Sequence, residues 1–367
     1  MQQRKTIMEL AQEIQRQQDA KKDYIVPSGK IEMVMEQDKP RVQFPVNGGH
    51  ERLDIAPFAH GQIAAKLAIP KPYYDRMLAE RPELLAQNVN SWLHGERKAN
   101  MVRTLDGRVR AFLSDKYRPL DNDLLAESVL PQLLSADVQV LSAEITETRL
   151  YIQCITPRVS GNVPGRVGQI VQAGLTISNS EVGAGAVWFA NMLYHLICLN
   201  GQVGTTNFQK YHIGKRLGNQ DGAELVDFSD TTKRLDDKAF MSALQDMTRS
   251  ALSQLSLDRE LKMLGEAGRR EIGAAALTDT VQEIGKRYAL KEAEQESILT
   301  RIIKGADLTQ LGVMQAVTNL ANDADAVPDF DRVIELQKIG NEIMQLGGES
   351  WAAITQAQAT TQARATA

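Results

Sequence analysis

Cysteine is scarce in this sequence: Cys154 and Cys198 are the two among 367 residues, and each sits inside an apolar run. A disulfide framework is not expected, and a reducing cytoplasm is the expected compartment. Long hydrophobic runs are missing as well. No stretch approaches the roughly 20 apolar residues that span a bilayer. The N-terminal MQQRKTIMELAQEIQRQQ has neither a continuous apolar core nor a small-residue cleavage site, so it does not read as a secretory signal. Metal-ligand spacing is absent among the five histidines, His50, His60, His94, His195 and His212. A zinc site needs about four ligands, and His195 with Cys198 finds no second Cys/His pair. The glycine-rich stretch Ile177–Ala186 lacks a following helix and a Gly-Lys-Ser/Thr ending, so it reads as a tight connection between strands rather than a nucleotide loop. No catalytic motif and no internal repeat stand out. Neither a cofactor nor a metal is expected.

What is present is an ordinary globular composition, 43% hydrophobic and 24% charged. The 42 basic residues are outnumbered by 46 acidic ones, for a net charge of −4. That balance offers no general attraction for nucleic acid. A local patch can still do so, and the question becomes where the basic residues gather.

Along the chain, residues 1–22 read as a polar helix with Ile7, Leu10 and Ile14 at helical spacing, either packed on its own domain or serving as an arm on a neighbouring subunit. From Tyr24 to Asp54, short apolar stretches broken by Pro27, Gly29, Pro40, Pro45 and Asn47-Gly48-Gly49 predict loops and short strands. Ala56–Leu85 predicts two helices divided by Pro70 and Pro72. Asn88 to Gly204 is rich in Val, Ile, Tyr, Trp and Thr and predicts strands over Val138–Ile145, Arg149–Ile155, Gln169–Ile177 and Ala186–Leu199. One helix, Asn122–Leu134, interrupts them with Asp121 as its N-cap. After Ser229 the period becomes helical over Phe240–Leu257, Thr278–Ala289, Lys291–Ile303, Thr309–Ala321 and Phe330–Leu346. The expected class is α+β: a mainly antiparallel β-sheet core with flanking helices over 23–230, then a helical region over 231–346. The junction falls near 218–232. Residues 347–367 have almost nothing to bury and read as a disordered tail.

The basic residues gather most densely in 97–118, with seven cations and two carboxylates. Asp106-Gly107 is a favoured two-residue turn, because both central positions take positive φ. The segment therefore predicts a β-hairpin in which Leu105 faces Arg108 and Arg103 faces Arg110. Alternation then places Arg97, Met101, Arg103, Leu105, Arg108, Arg110, Phe112 and Lys116 on one face. Val102, Thr104, Val109, Ala111 and Leu113 form the other, apolar face. Like charges opposed across strands are destabilising, so the basic face asks for an anion. Acidic side chains elsewhere in the chain are one source. The other is a phosphate backbone, with Phe112 and Tyr117 stacking on bases and Arg118 nearby. A second basic and aromatic cluster, Gln209–Arg216, reads either as a solvated loop end or as an extension of that surface through Lys215 and Arg216.

Three segments together resemble a family of bacteriophages and plasmids known as "domain of unknown function 932". They are Val109-Arg-Ala-Phe-Leu-Ser-Asp-Lys-Tyr-Arg-Pro-Leu-Asp-Asn122, then Ile177-Ser-Asn-Ser-Glu-Val-Gly-Ala-Gly185 with Leu196-Ile-Cys-Leu-Asn-Gly201, then Val313-Met-Gln-Ala-Val-Thr-Asn-Leu-Ala321. The resemblance spans roughly residues 50–346. It departs at His195, where members often carry a basic residue, and at Leu199, where Thr is usual. It implies a mobile-element origin, an α+β fold and work in the bacterial host cytoplasm. A basic sheet beside helices looks loosely like phage single-strand annealing proteins. The leading expectation is a non-enzymatic homo-oligomer that binds single-stranded DNA in DNA metabolism or recombination, away from membranes. Arg97, Arg103, Arg108, Arg110 and Lys116 would contact phosphate. The alternatives are an assembly protein whose basic face meets an acidic protein surface, and an enzyme acting on nucleotides or nucleic acid through His212 or His195.

Overall fold

The computed structural model describes residues 6–196, 200–210, 230–323 and 325–356. The chain opens with α1 (Ile7–Ala20), started by a capping box in which the Thr6 side chain accepts from the Glu9 amide and the Glu9 carboxylate accepts from the Thr6 amide. Four strands follow: β1 (Lys22–Pro27), β2 (Glu32–Glu36), β3 (Lys39–Val46) and β4 (Gly49–Ile55). Then come α2 (Pro57–Lys66), α3 (Lys71–Glu80) and α4 (Pro82–Gly95), and the hairpin β5 (Ala99–Leu105) and β6 (Arg108–Ser114). Next are α5 (Asn122–Ser135), β7 (Gln139–Ile145), β8 (Leu150–Asn162), β9 (Ile170–Asn179), β10 (Val187–His195) and β11 (Asn200–Lys210). The remainder is helical: α6 (Asp230–Ala251), α7 (Gln254–Ala267), α8 (Leu277–Arg287), α9 (Glu292–Gly305), α10 (Gln310–Ala321), α11 (Phe330–Gln345) and α12 (Gly348–Gln356). The class is α+β, as expected. No helix among the described residues is long and apolar enough to cross a membrane.

Two sheets form. The first has six strands in the order β1-β5-β6-β4-β3-β2, and the second five in the order β11-β10-β9-β8-β7. The second is antiparallel throughout. The first is mixed, because β4 runs parallel to β6 through Asp54↔Arg108 and Ile55↔Val109. A parallel pair needs a crossover, and α2–α4 with β5 supply it.

Helices α2–α4 cover one face of the first sheet, where Ile31, Phe44, Tyr74, Leu85, Val102 and Val109 are fully buried. Sequence periodicity placed the last helix boundary too early. Pro82 starts a third helix, α4, that runs to Gly95 and buries Leu85, Val89 and Leu93 at four-residue spacing. The second sheet is covered on both faces. Ile152, Cys154, Leu175, Ile177 and Phe189 pack against Leu10 and Ile14 of α1, Leu125 and Val129 of α5, and Phe240 and Leu244 of α6. The N-terminal helix thus docks on its own chain. Further along that same face Val171, Ala173 and Leu193 join the core of the C-terminal helices, and on the opposite face Tyr151, Trp188 and Ala190 meet Ile334 of α11. Each face also carries a polar pair: Gln153 Nε2 donates to Gln337 Oε1 of α11 at 2.9 Å, and on the other face Asn191 Nδ2 donates to Glu260 Oε1 of α7 at 2.8 Å.

The expectation of a disordered tail fails over 348–356. These residues form α12, whose Trp351 and Ile354 are buried in the helical core. Two apolar side chains four positions apart or fewer suffice once a neighbouring surface exists to receive them. A helix over 254–267 also escaped the sequence reading, which ended one helix at Leu257. The Ser253 hydroxyl caps a fresh start by accepting from the Ser256 amide.

Candidate functional site

The hairpin turns where its sequence says it should. Asp106 and Gly107 have φ of +51° and +72°, the left-handed pair that a two-residue turn demands. Leu105 faces Arg108 and Thr104 faces Val109, but Arg103 then faces Ala111. One residue of β6, Arg110, is extra. This bulge shifts every later pair by one, so that Val102 opposes Phe112 and Met101 opposes Leu113. The expected opposition of Arg103 and Arg110 does not exist, and the expected partition of faces fails beyond it. Phe112 joins Val102 in the apolar core and is not available to stack on a base.

Both arginines lie inside the protein. Arg103 is fully buried. Its Nε donates to Asp23 Oδ1 at 2.8 Å, its Nη1 to the Glu181 carbonyl at 2.7 Å, and its Nη2 to both carboxylate oxygens of Asp121 at 2.9 and 3.0 Å. Arg110 donates from Nη2 to Glu181 Oε2 at 2.6 Å. From the end of α1, the Lys21 ammonium lies 2.8 Å from Asp121, 3.4 Å from Asp123 and 3.3 Å from Glu181. Lys21, Arg103 and Arg110 are thus met by Asp23, Asp121, Asp123 and Glu181. For Arg103 the anion that the basic face asked for comes from within the chain, which corrects its reading as a surface phosphate ligand; Arg110 is buried too, with one of its donors on Glu181.

Segments far apart in sequence build this cluster. Glu181 projects from the β9–β10 connection, and its Oε1 accepts from the amide of Asn122 at 2.8 Å, at the N-terminus of α5. Asp121 occupies the N-cap position without capping, since its carboxylate is turned to Arg103 and Lys21. The carboxylate at the helix terminus is therefore Glu181's, where the helix dipole also favours it. Asn179 Nδ2 donates to the Leu120 carbonyl and to Asn122 Oδ1, both at 2.8 Å. Gly183, at φ +79°, lets the connection pass within van der Waals reach of Leu113 and Tyr117; a Cβ there would lie 2.8 Å from Leu113 Cδ2. The first two segments of the family resemblance are the ones brought together here.

Electrostatics follow from burial. Desolvation alone would raise the Asp121 carboxyl, yet Arg103 and Lys21 hold it below its ordinary value. Burial raises the Tyr117 phenol. Asp121, Asp123 and Glu181 bring oxygens within 4.8 Å of one another, a grouping able to hold a cation. The Lys21 ammonium stands among them, so the chain itself supplies that cation.

The other expected contact residues scatter. Tyr117 is partly buried, and its hydroxyl donates to the Ser180 carbonyl at 3.4 Å. Arg118 pairs with Asp237 at 2.6 Å. Arg97, Arg108 and Lys116 are exposed. Lys215, Arg216 and His212 lie outside the described residues. His195 is buried at the end of β10. Sequence reasoning passed over Asp121 and Glu181 as partners of the arginines, although both stand in the family-like segments. It also passed over Lys21, Lys98 and the exposed Trp92. Nothing in local spacing pairs Lys21 with Glu181 across 160 positions.

No family model, curated protein or solved structure matches this chain.

Proposed function

We propose that the chain binds single-stranded nucleic acid at the open end of the hairpin, away from the turn, without a catalytic step. The observation that carries this reading is which cations internal carboxylates leave over. Lys30, Arg97, Lys98 and Lys116 are exposed, and none has a side-chain partner among the described residues. A row of hydrogen bonds gathers them. The Ser28 amide donates to the Lys98 carbonyl at 2.8 Å, Asn100 Nδ2 donates to Ser28 Oγ at 2.7 Å, Asn100 faces Ser114 across the hairpin, and the Lys116 amide donates to Ser114 Oγ at 3.2 Å. Each of the three lysines is within two residues of that row. In the last turns of α4, which leads into this end, Trp92 is 57% exposed and offers an indole face to a base. Basic side chains beside an exposed aromatic are the chemistry that tracks a phosphate backbone and stacks on bases without reading sequence. The reading keeps the mobile-element origin implied by the three-segment resemblance, and a homo-oligomer at work in the host cytoplasm.

The test is a salt titration of labelled oligothymidylate binding by fluorescence anisotropy. Losing about three phosphate contacts in Arg97→Glu/Lys98→Glu/Lys116→Glu should lower the salt slope by about 2, at about 0.7 per contact for single strands. Quenching of tryptophan emission on binding should disappear in Trp92→Ala. Binding that is absent at low salt, or that is unchanged in the triple variant, would refute the assignment.

A further inference from the structure

At the other end of the hairpin, beside the turn, the two sheets leave a cleft of about 410 Å3. Three arginines line it, Arg108 and Arg110 from β6 and Arg149 from the start of the β8 hairpin, together with the carboxylates Asp106, Glu147 and Glu181. The carboxylates are all engaged. Asp106 accepts from Arg16 Nη1 at 2.8 Å and Nη2 at 3.2 Å. Glu147 accepts from the Phe58 amide at 3.1 Å in the first turn of α2, and Glu181 is shared by Arg110, Lys21 and the Asn122 amide.

Two of the arginines are not matched in the same way. Arg149 donates to the Ala184 carbonyl. Arg108 is exposed and has no hydrogen-bond or ion-pair partner among the described residues. Arg110 is 7% exposed, and its Nε–H has no acceptor, although its Nη2 holds Glu181. A buried guanidinium N–H without an acceptor is uncommon in a folded protein and points to an oxygen that a ligand would bring. Leu105, the cross-strand neighbour of Arg108, and Ile145 add half-buried apolar surface to the lining.

We propose that this cleft is a site for a phosphate monoester attached to a flat, partly apolar body, that is, a nucleotide. Arg108 and Arg110 would receive the phosphate, and the base would lie over Leu105 and Ile145. Paired guanidinium groups suit a phosphate's several oxygens, and the volume falls in the range of small-molecule sites, about 300–1,000 Å3. Two sources share this chemistry: a free mononucleotide, or the 5′-phosphorylated end of a strand whose body lies elsewhere on the protein. The proposal does not depend on the open end of the hairpin, because the two sites use different residues.

Isothermal titration of the full chain with a nucleoside monophosphate, a 5′-phosphorylated oligonucleotide and the same oligonucleotide bearing a 5′-hydroxyl separates the cases. Saturable binding of the mononucleotide, weakened about tenfold or more in Arg108→Glu, assigns a free nucleotide. Preference for the 5′-phosphorylated strand, lost in Arg108→Glu and retained in the open-end triple variant, assigns the strand end. Arg108 is exposed and unpaired, so this replacement leaves the fold intact, and an unchanged circular dichroism spectrum verifies that. The proposal is overturned if neither phosphorylated ligand binds at millimolar concentration in low salt. It is equally overturned if Arg108→Glu leaves binding unchanged.

Discussion

Replacing Arg103 with methionine removes the guanidinium that ties β5 to β1, to the β9–β10 connection and to the start of α5. The side chain is fully buried and makes four hydrogen bonds, three of them to carboxylate oxygens. Asp23 is 34% exposed at its side chain and can regain water, whereas Asp121 at 17% cannot do so fully and keeps only Lys21. Breaking a buried ion pair from one side costs about 3–5 kcal/mol, and the retained Lys21 contact places Arg103→Met near 3 at the lower end. Guanidinium chloride unfolding followed by circular dichroism measures this. A second variant, Arg103→Met/Asp121→Asn, removes the stranded charge and should recover about 1–2 kcal/mol of the loss. The pH dependence supplies an independent reading. Asp121 is held below its ordinary 3.8, so its contribution is complete above that value and is lost as the pH falls through its lower native value. In Arg103→Met this acid sensitivity should shrink. A loss of less than about 1 kcal/mol, or an acid profile identical to that of the parent, would refute the role of Arg103 as the hub of the cluster.

Two further outcomes test other buried groups. His60, hydrogen-bonded to the Tyr74 hydroxyl at 2.8 Å, is pushed down to about 4 by burial and then by Lys71, with Asp75 opposing. The unfolded chain takes up its proton first, so stability should be full above pH 6.5 and fall by up to about 3 kcal/mol as the pH drops to 4. His60→Gln should flatten that window, and an unchanged slope would disprove the assignment. Burial pushes the Cys154 thiol up to about 12, so peptide mapping after iodoacetamide treatment of the native protein should find Cys154 unmodified and the unfolded protein fully labelled there.

Much of the architecture is readable from local pattern. The strands β7–β10 follow from runs of Val, Ile and aromatic residues, and the helices α8–α11 from their apolar spacing, since period follows directly from backbone geometry. The turn at Asp106-Gly107 is likewise a local property, set by two residues that tolerate positive φ. Where reading failed, a distant surface decided. Trp351 and Ile354 lie in a stretch too polar to suggest structure, and they fold into α12 because the helical core offers them a place to bury.

The charged site divides along the same line. Residue order alone dictates that arginines crowd one hairpin and that crowded like charges need an anion, because Coulomb repulsion between neighbouring strands is a local matter. Which anion answers them is a matter of the folded chain. The bulge at Arg110 moved Phe112 into the core. It also left Arg103 and Arg110 facing inward, where Asp23, Asp121 and Glu181 converge from strands and loops up to 80 positions away. A bulge inserts one residue without a strong sequence signature, and ion pairs at such separation leave no periodicity to read. Among the described residues of the hairpin segment, the cations left unpaired, Arg108 at the cleft and Arg97, Lys98 and Lys116 at the open end, are the remainder of that internal neutralisation. It is visible only after the folded partners have been matched.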